Sequence, residues 1–142
     1  MIRYLLDTNV VSEPLRPRPD PAVRDRLDRH GGEVGIASVV WHELLYGMER
    51  LPDGRRRRFL HDYLRDVVRP AVPVFPFDTA AAEWLARERA RLEAAGRTRP
   101  LADGQIAAVA ATRGLVLVTR NVADFEGYAD LHVENWFESS PA

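Results

Sequence analysis

Short apolar runs alternate along the chain with longer segments in which apolar residues recur every three or four positions. The short runs are typical of buried strands, and the longer spacing is typical of helices with one buried face. The runs predict strands at Ile2–Leu6, Val34–Ala37, Val72–Phe75 and Leu115–Thr119, with a weaker fifth at Leu131–Glu134.

Helices are predicted between these strands. They are expected at Ala22–Arg29, Ser38–Arg50 and Arg55–Arg69, from Asp78 to about Gly96, and over Gln105–Arg113. Ser38, Asp78 and Asp103 each open such a segment and are residue types that favour the N-cap. Gly114 follows the last segment, where a left-handed residue ends many helices.

The alternation of strands and helices predicts the fold class. It indicates an α/β domain around a mostly parallel central sheet of four to five strands. One hydrophobic core serves a chain of 142 residues, so we expect a single domain over residues 1–142. Ligands of such open sheets bind beyond the carboxyl ends of the strands. Residues that directly follow the strands are therefore the first candidates for a functional site.

Two aspartates lie just beyond predicted strands. Asp7 follows Ile2–Leu6 at once, and Asp124 comes five residues after Thr119. Each has an ordinary interpretation, because aspartate caps helices and favours turns. Each also stands where a site at the carboxyl edge of the sheet needs its acids. Taken alone, either residue leaves both interpretations open.

Two further acids belong to predicted helices. Glu43 lies three and four residues beyond Val40 and Val39 and shares their apolar face, where an unpaired carboxylate is costly to desolvate. Asp103 is a good N-cap, which is a sufficient structural reason for its presence. The helix that it opens is apolar nearly all round, however, and is expected to be buried. A buried helix that starts with an acid at the sheet edge fits a site.

A cluster of these four acids would need a cation. Carboxylates crowded together strongly disfavour their own ionisation unless a positive charge lies among them. A set of carboxylates without His or Cys suits hard ions such as Mg²⁺ or Mn²⁺. The four histidines of the chain show no metal-binding spacing such as HExxH. The sequence therefore favours an all-oxygen metal site.

Composition narrows the chemistry further. The absence of Cys excludes disulfides, thiolate catalysis and Cys-ligated zinc. All 20 basic residues are Arg, so no lysine serves Schiff-base, P-loop or aspartyl-phosphate chemistry. The net charge of −1 gives no general attraction for nucleic acid. Apolar runs of membrane-spanning length and a secretory leader are both lacking, so we expect a cytoplasmic protein.

Four stretches carry a resemblance to a known family. They are YLLDTNVVSE, ASVVWHELLYG, LADGQIAAVAATRG, and LVLVTRNVADFEG followed by VENW. Their order and spacing span nearly the whole chain and are highly specific in combination. Through them the chain resembles the PIN-domain nucleases, and specifically the VapC-type toxins of bacterial type II toxin–antitoxin modules. No acidic position departs from the family pattern.

The resemblance implies a PIN-domain α/β/α sandwich, a site and a set of partners. The implied site comprises the catalytic, metal-binding acids Asp7, Glu43, Asp103 and Asp124 and the supporting polar residues Asn9, Thr119 and Asn121. The implied activity is that of an endoribonuclease that cleaves RNA by water activated on Mg²⁺ or Mn²⁺. The implied partners are a second copy of the chain, in a homodimer, and a cognate VapB-like antitoxin, in a heterotetramer or larger assembly.

Arginines would have to draw RNA to such an acidic pocket. Arg97 and Arg99 are the candidates, because they directly precede Asp103. The run Arg55–Arg58 is explained at least as well as a solvated helix start or a surface that faces the antitoxin. The apolar faces of the helices at Ser38–Arg50 and Arg55–Arg69 are candidates for the dimer contact. The tryptophans are expected in the core or an interface, and they are Trp41, Trp84 and Trp136.

Two other classes of function compete with this interpretation. The first is a metal-dependent phosphatase or DNA nuclease on a similar sheet. An aspartyl-phosphate phosphatase would need a DxD motif and a lysine, whereas this chain has Asp7-Thr8-Asn9 and no lysine. The second is a non-catalytic module whose acids receive a basic peptide. Four intact acids argue against such a module, but the sequence leaves it open.

Overall fold

Five parallel strands form one sheet in the order β3-β2-β1-β4-β5 in the computed structural model, which describes residues 1–137. Residues 138–142 of the predicted domain lie outside this part. The strands are β1 Tyr4–Leu6, β2 Val34–Ala37, β3 Val74–Phe75, β4 Val116–Val118 and β5 Val133–Glu134. All five, including the weak last one, lie within the predicted runs, and each except β2 is shorter than its run.

Seven α-helices connect the strands within residues 1–137. They are α1 Thr8–Val11, α2 Pro21–Arg29, α3 Ser38–Glu49, α4 Arg55–Tyr63, α5 Arg69–Ala71, α6 Thr79–Ala94 and α7 Leu101–Arg113. The predicted helix at Arg55–Arg69 is interrupted, because Leu64–Val68 forms a π-helical turn between α4 and α5. Single 3₁₀ turns occur at Glu13–Leu15 and Val122–Phe125.

Two of the three predicted N-caps are wrong. Helix α3 already includes Ser38, whose hydroxyl instead accepts a hydrogen bond from the backbone of Phe77 at 3.4 Å. Helix α7 begins at Leu101, directly after the extended Pro100, so Asp103 lies within its first turn and does not cap it. Asp78 does cap α6, through a 3.0 Å bond from the Ala81 amide.

The core lies on both sides of the central strands. Leu5 of β1, Ile36 of β2 and Leu117 of β4 are completely buried. The middle of helix α7 is buried, at Gly104 and from Ile106 to Ala110, as its apolar composition predicts. The tryptophan prediction is confirmed for Trp84 and Trp136, both of which are buried.

The strand order positions the site. From β1 the chain runs outward to β2 and β3, and it then crosses to the other side of β1 to form β4 and β5. Because parallel crossovers are right-handed, this reversal places helices on both faces of the sheet, which confirms the α/β/α sandwich. A crevice forms at such a switch point, beyond the carboxyl ends of β1 and β4. Asp7 and Thr119 are the first residues past those two ends.

Candidate active site

Asp7 lies at the bottom of this crevice, and its side chain is held on two sides. It is 8% exposed and caps α1, with Oδ1 accepting a 2.8 Å hydrogen bond from the Thr8 amide. Oδ2 accepts a 2.8 Å bond from the hydroxyl of Thr119. Burial raises the pKa of Asp7; these two bonds lower it in part, and the charges of Glu43 and Asp124 raise it further.

Of the predicted support residues, Thr119 and Asn9 act on Asp7 through their side chains, and Asn121 takes part through its backbone. Thr119 is fully buried, and its hydroxyl also accepts a 3.1 Å bond from the Asn121 amide. The Asn9 side chain bridges the two strand ends, donating to Asp7 Oδ2 at 3.4 Å and accepting from the Arg120 amide at 3.1 Å. Asn121 is exposed and takes part through its backbone. Thr119 and Asn9 therefore fix the orientation of the Asp7 carboxylate.

Glu43 reaches the same crevice from α3. It is half-buried beside the fully buried Val40, in agreement with its predicted inward face. The hydroxyl of Thr8 donates a 2.6 Å hydrogen bond to Glu43 Oε2, while the backbone amide of Thr8 donates to Asp7. Thr8 therefore links two of the four acids. Thr8 is not among the predicted site residues, although a hydroxyl directly after Asp7 is the available signal.

Asp103 completes the acidic set from the first turn of α7. Its pKa is raised to about 6, first by burial and then by the charges of Asp7, Asp124 and Glu43. The guanidinium of Arg99 opposes these effects and lowers the pKa. The structure thus brings the four predicted acids close enough for the other three to act on Asp103. Because the four acids belong to four different segments of the chain, they come together only in the folded domain.

Asp124 stands on the exposed 3₁₀ turn Val122–Phe125, and Phe125 is the one buried residue of this turn. Arg99 donates to the carbonyl oxygens of Ala123 at 3.2 Å and Glu126 at 2.8 Å, on either side of Asp124.

The other arginines considered in the sequence contact different parts of the protein. Arg97 is exposed, and its guanidinium lies against Gly127. Within the run Arg55–Arg58, Arg57 pairs with Glu49 and Asp53 at the start of α4.

The donor set fits a hard divalent ion. Asp7 Oδ1 accepts one hydrogen bond from residues 1–137 and can use its remaining lone pair for a cation. Asp7 is buried and Glu43 and Asp103 are half-buried, and carboxylate oxygens of this kind suit Mg²⁺ or Mn²⁺. As they stand, no three Asp, Glu, His or Cys side chains of residues 1–137 form a closed metal-binding group. An ion would therefore draw in the side chains around Asp7 and Asp103.

Comparison with known proteins identifies the family. A family model described as the PIN domain matches residues 4–131. The chain belongs to the PIN-domain family. The match includes all four acids and the whole of the sheet except β5.

Relatives of this PIN domain cover almost its full length. It is 33% identical over 138 residues to the tRNA(fMet)-specific endonuclease VapC of Shigella flexneri, a match that spans 96% of this chain and 99% of the relative. It is 37% identical over 134 residues to Toxin FitB of Neisseria gonorrhoeae, spanning 92% of this chain and 96% of that protein.

Solved structures agree with the fold of this PIN domain. FitAcB from Neisseria gonorrhoeae superposes with a TM-score of 0.84 at 35% identity, covering 93% of this chain and 96% of that one. DNA-bound VapBC from Salmonella typhimurium superposes with a TM-score of 0.82 at 28% identity, covering 96% and 99%. Among residues 1–137, no helix is long and apolar enough to cross a membrane.

Proposed function

We propose that this PIN domain is a Mg²⁺- or Mn²⁺-dependent endoribonuclease and the toxin of a toxin–antitoxin pair in the cytoplasm. The observation that carries the proposal is the convergence of four carboxylates, each from a different part of the fold, on the crevice between β1 and β4. Relatives over nearly the whole chain are named as VapC ribonucleases, which supports RNA as the substrate.

The position of each residue in the crevice indicates its role. Asp7 and Asp103 would hold the ion, because both are drawn out of solvent and both are destabilised as bare charges. Thr119 orients Asp7, and Thr8 orients Glu43. When bound, a divalent ion lowers the pKa of water and aligns it for in-line attack on phosphorus. Cleavage of this kind leaves a 5′-phosphate and a 3′-hydroxyl.

Asp124 would act from the rim of the crevice. It is exposed and stands on a turn, so it can meet a ligand or solvent water without further desolvation. Lysine is absent, and the largest effects on the pKa of Asp7 and Asp103 come from burial, neighbouring acids, hydrogen bonds and Arg99, with none from histidine. The carboxylates and their ion therefore have to provide the proton transfer.

A groove beside the site supports the second half of the proposal. It encloses about 510 Å³, and Thr8 and Glu43 form part of its wall. The rest of its lining includes four leucines and three arginines, which are Leu15, Leu44, Leu51, Leu60, Arg16, Arg50 and Arg56. An apolar segment of an antitoxin would fit here and cover Glu43. The solved relatives are FitAB and VapBC complexes, which supports such a partner.

Self-association is part of the same proposal. Helices α3 and α4 and the adjoining π turn expose large apolar side chains to solvent, namely Tyr46, Phe59 and Val67. These lie on the helices whose apolar faces are predicted to form the homodimer. Light scattering of the purified chain without antitoxin tests this, because a monomer at micromolar concentration would contradict it.

A cleavage assay tests the activity. Protein freed of antitoxin is incubated with total RNA or single-stranded DNA in Mn²⁺, Mg²⁺ or EDTA, beside the near-isosteric variants Asp7→Asn and Asp103→Asn. We expect RNA to be cut only with metal and only by the wild type. Equal inertness of all three proteins on RNA, together with binding of an arginine-bearing peptide by the wild type, would instead identify a binding module.

A further inference from the structure

We propose that Arg99 is a positioning residue that sets the spacing between Asp103 and Asp124. Arg99 is four residues before Asp103, in the connection between α6 and α7, so its backbone is tied to the start of the helix that carries that acid. Its guanidinium reaches across to the turn that carries Asp124. This inference rests on the proposed function of the acidic site, and it assigns Arg99 to positioning instead of the predicted contact with RNA.

The contacts of Arg99 bracket Asp124. One terminal nitrogen donates to the carbonyl oxygen of Ala123, the residue before Asp124, at 3.2 Å. The other donates to the carbonyl oxygen of Glu126, two residues after it, at 2.8 Å. The planar guanidinium has a fixed fork of donors, so two bonds to one turn fix both the distance and the tilt of that turn.

A second set of contacts holds the far end of the same loop. Glu88 of α6 is 7% exposed, and its carboxylate accepts a 2.6 Å bond from the Ala129 amide. Arg91 makes two bonds to Glu88 and a 2.6 Å bond to the carbonyl oxygen of Gly127. Side chains from α6 and the connection after it therefore hold the backbone of residues 123–129 at four places.

The turn needs these contacts because it has little packing of its own. Val122, Ala123 and Asp124 are exposed, and Phe125 alone anchors the turn in the core. The cost of the arrangement is also visible at Arg99, whose Nε is buried without a hydrogen-bond partner among residues 1–137. A buried donor left unpaired loses its bonds to water and gains none in return. The Arg99 guanidinium keeps this position although its Nε has no partner among residues 1–137. A role in holding the segments of Asp103 and Asp124 at a fixed distance explains why.

Removal of the guanidinium should weaken metal binding by a larger factor than it weakens folding. Isothermal titration with Mn²⁺, cleavage rate at saturating Mn²⁺ and thermal unfolding in EDTA are measured for Arg99→Gln and Arg99→Lys. We expect Arg99→Gln to lower Mn²⁺ affinity about tenfold or more, as loss of groups that orient metal ligands commonly does. Arg99→Lys keeps the charge and one bond and should fall between Arg99→Gln and the wild type.

Arg113→Gln is the matched control. Arg113 lies in α7 and pairs with Asp78 at 3.2 Å, away from the turn of Asp124. The Arg113→Gln variant should have lower thermal stability but the same Mn²⁺ affinity as the wild type. If Arg99→Gln and Arg99→Lys both bind Mn²⁺ and cut RNA as the wild type does, the positioning role is wrong. If the wild type itself neither binds Mn²⁺ nor cuts RNA, the proposed function fails instead.

Discussion

Thr119 donates a 2.8 Å hydrogen bond to Asp7 across 112 residues of sequence, and it does so at full burial. The bond joins the carboxyl ends of β1 and β4, the two strands that flank the crevice. It lowers the pKa of a carboxylate that burial would otherwise raise further. Thr119 therefore keeps Asp7 available as an anion at the point where a cation would bind.

Thr119→Val should impair the site while preserving the shape of the side chain. Valine cannot donate to Asp7 or accept from the Asn121 amide, so the carboxylate loses its orientation and is more easily protonated. We expect Mn²⁺ affinity to fall about tenfold, and cleavage at limiting Mn²⁺ to fall with it. Titration calorimetry measures the affinity. Thr119→Ser keeps the hydroxyl and should stay near the wild type; equal affinities of the valine and serine variants would refute the role of the bond.

Asp103 should make the metal-free protein less stable as the pH rises. Its pKa is about 6 in the folded protein against an ordinary value of 3.8. The folded state therefore holds the proton more tightly, and the resulting stability is complete below pH 3.8 and is lost as the pH rises through 6. For a partly exposed group, solvent screening reduces the effect to about 1 kcal/mol.

The variant Asp103→Asn isolates this contribution. Because asparagine does not titrate, the variant and the wild type should have similar melting temperatures near pH 4, whereas the variant should melt about 2–4 °C higher at pH 8. The measurement is thermal unfolding in EDTA across this range. A difference between the two proteins that does not grow with pH would show that Asp103 is not strained as an anion.

Binding of Mn²⁺ should release a proton near pH 6. Metal ligands must be deprotonated, and Asp103 is about half protonated at that pH. We expect the heat of binding at pH 6 to depend on the ionisation enthalpy of the buffer and this dependence to disappear by pH 8. Calorimetry in two buffers at each pH gives the number of protons. Proton release that is identical at both pH values would point to a different titrating group.

Gly104→Ala should destabilise the protein although alanine is the better helix former. A Cβ at this position would lie 2.9 Å from Leu85 Cδ1 and 3.2 Å from the Tyr128 hydroxyl. Overpacking costs about 1–3 kcal/mol, and the two close contacts favour the upper part of this range over a helix-propensity gain of about 1 kcal/mol. Urea unfolding measures the difference. Gly47→Ala in α3 meets no atom within 4 Å and should instead stabilise; stabilisation by both variants would contradict the close packing of α6 on α7.

The sequence was sufficient to locate the strands and the four acids. The strands are continuous apolar runs, and an acid directly after such a run, as at Asp7, stands out against it. Glu43 was recognisable because helical spacing puts it on the face of Val40, and it is indeed half-buried there. These patterns involve residues that are close together in the sequence, so they can be recognised without the structure.

Contacts between distant segments could not be read in this way. Glu88 and Arg91 have the spacing of an ordinary surface ion pair, and their hold on Ala129 depends on how a remote loop folds back. Arg99 is predicted to contact RNA because it precedes Asp103, and the sequence does not reveal its bonds to the carbonyl oxygens of Ala123 and Glu126. Asp103 is predicted to be an N-cap, but α7 begins at Leu101, directly after Pro100, so the acid lies inside its first turn.

The pairing of β1 with β4 also affects when the site can exist. Asp7 is added to the chain early in translation, and its partner Thr119 is added 112 residues later. At translation rates of about 5–20 residues per second, this interval is on the order of ten seconds. A chain still growing on the ribosome carries Asp7 without the strand that orients it. The Asp7 carboxylate can therefore be oriented only after nearly the whole domain has been translated.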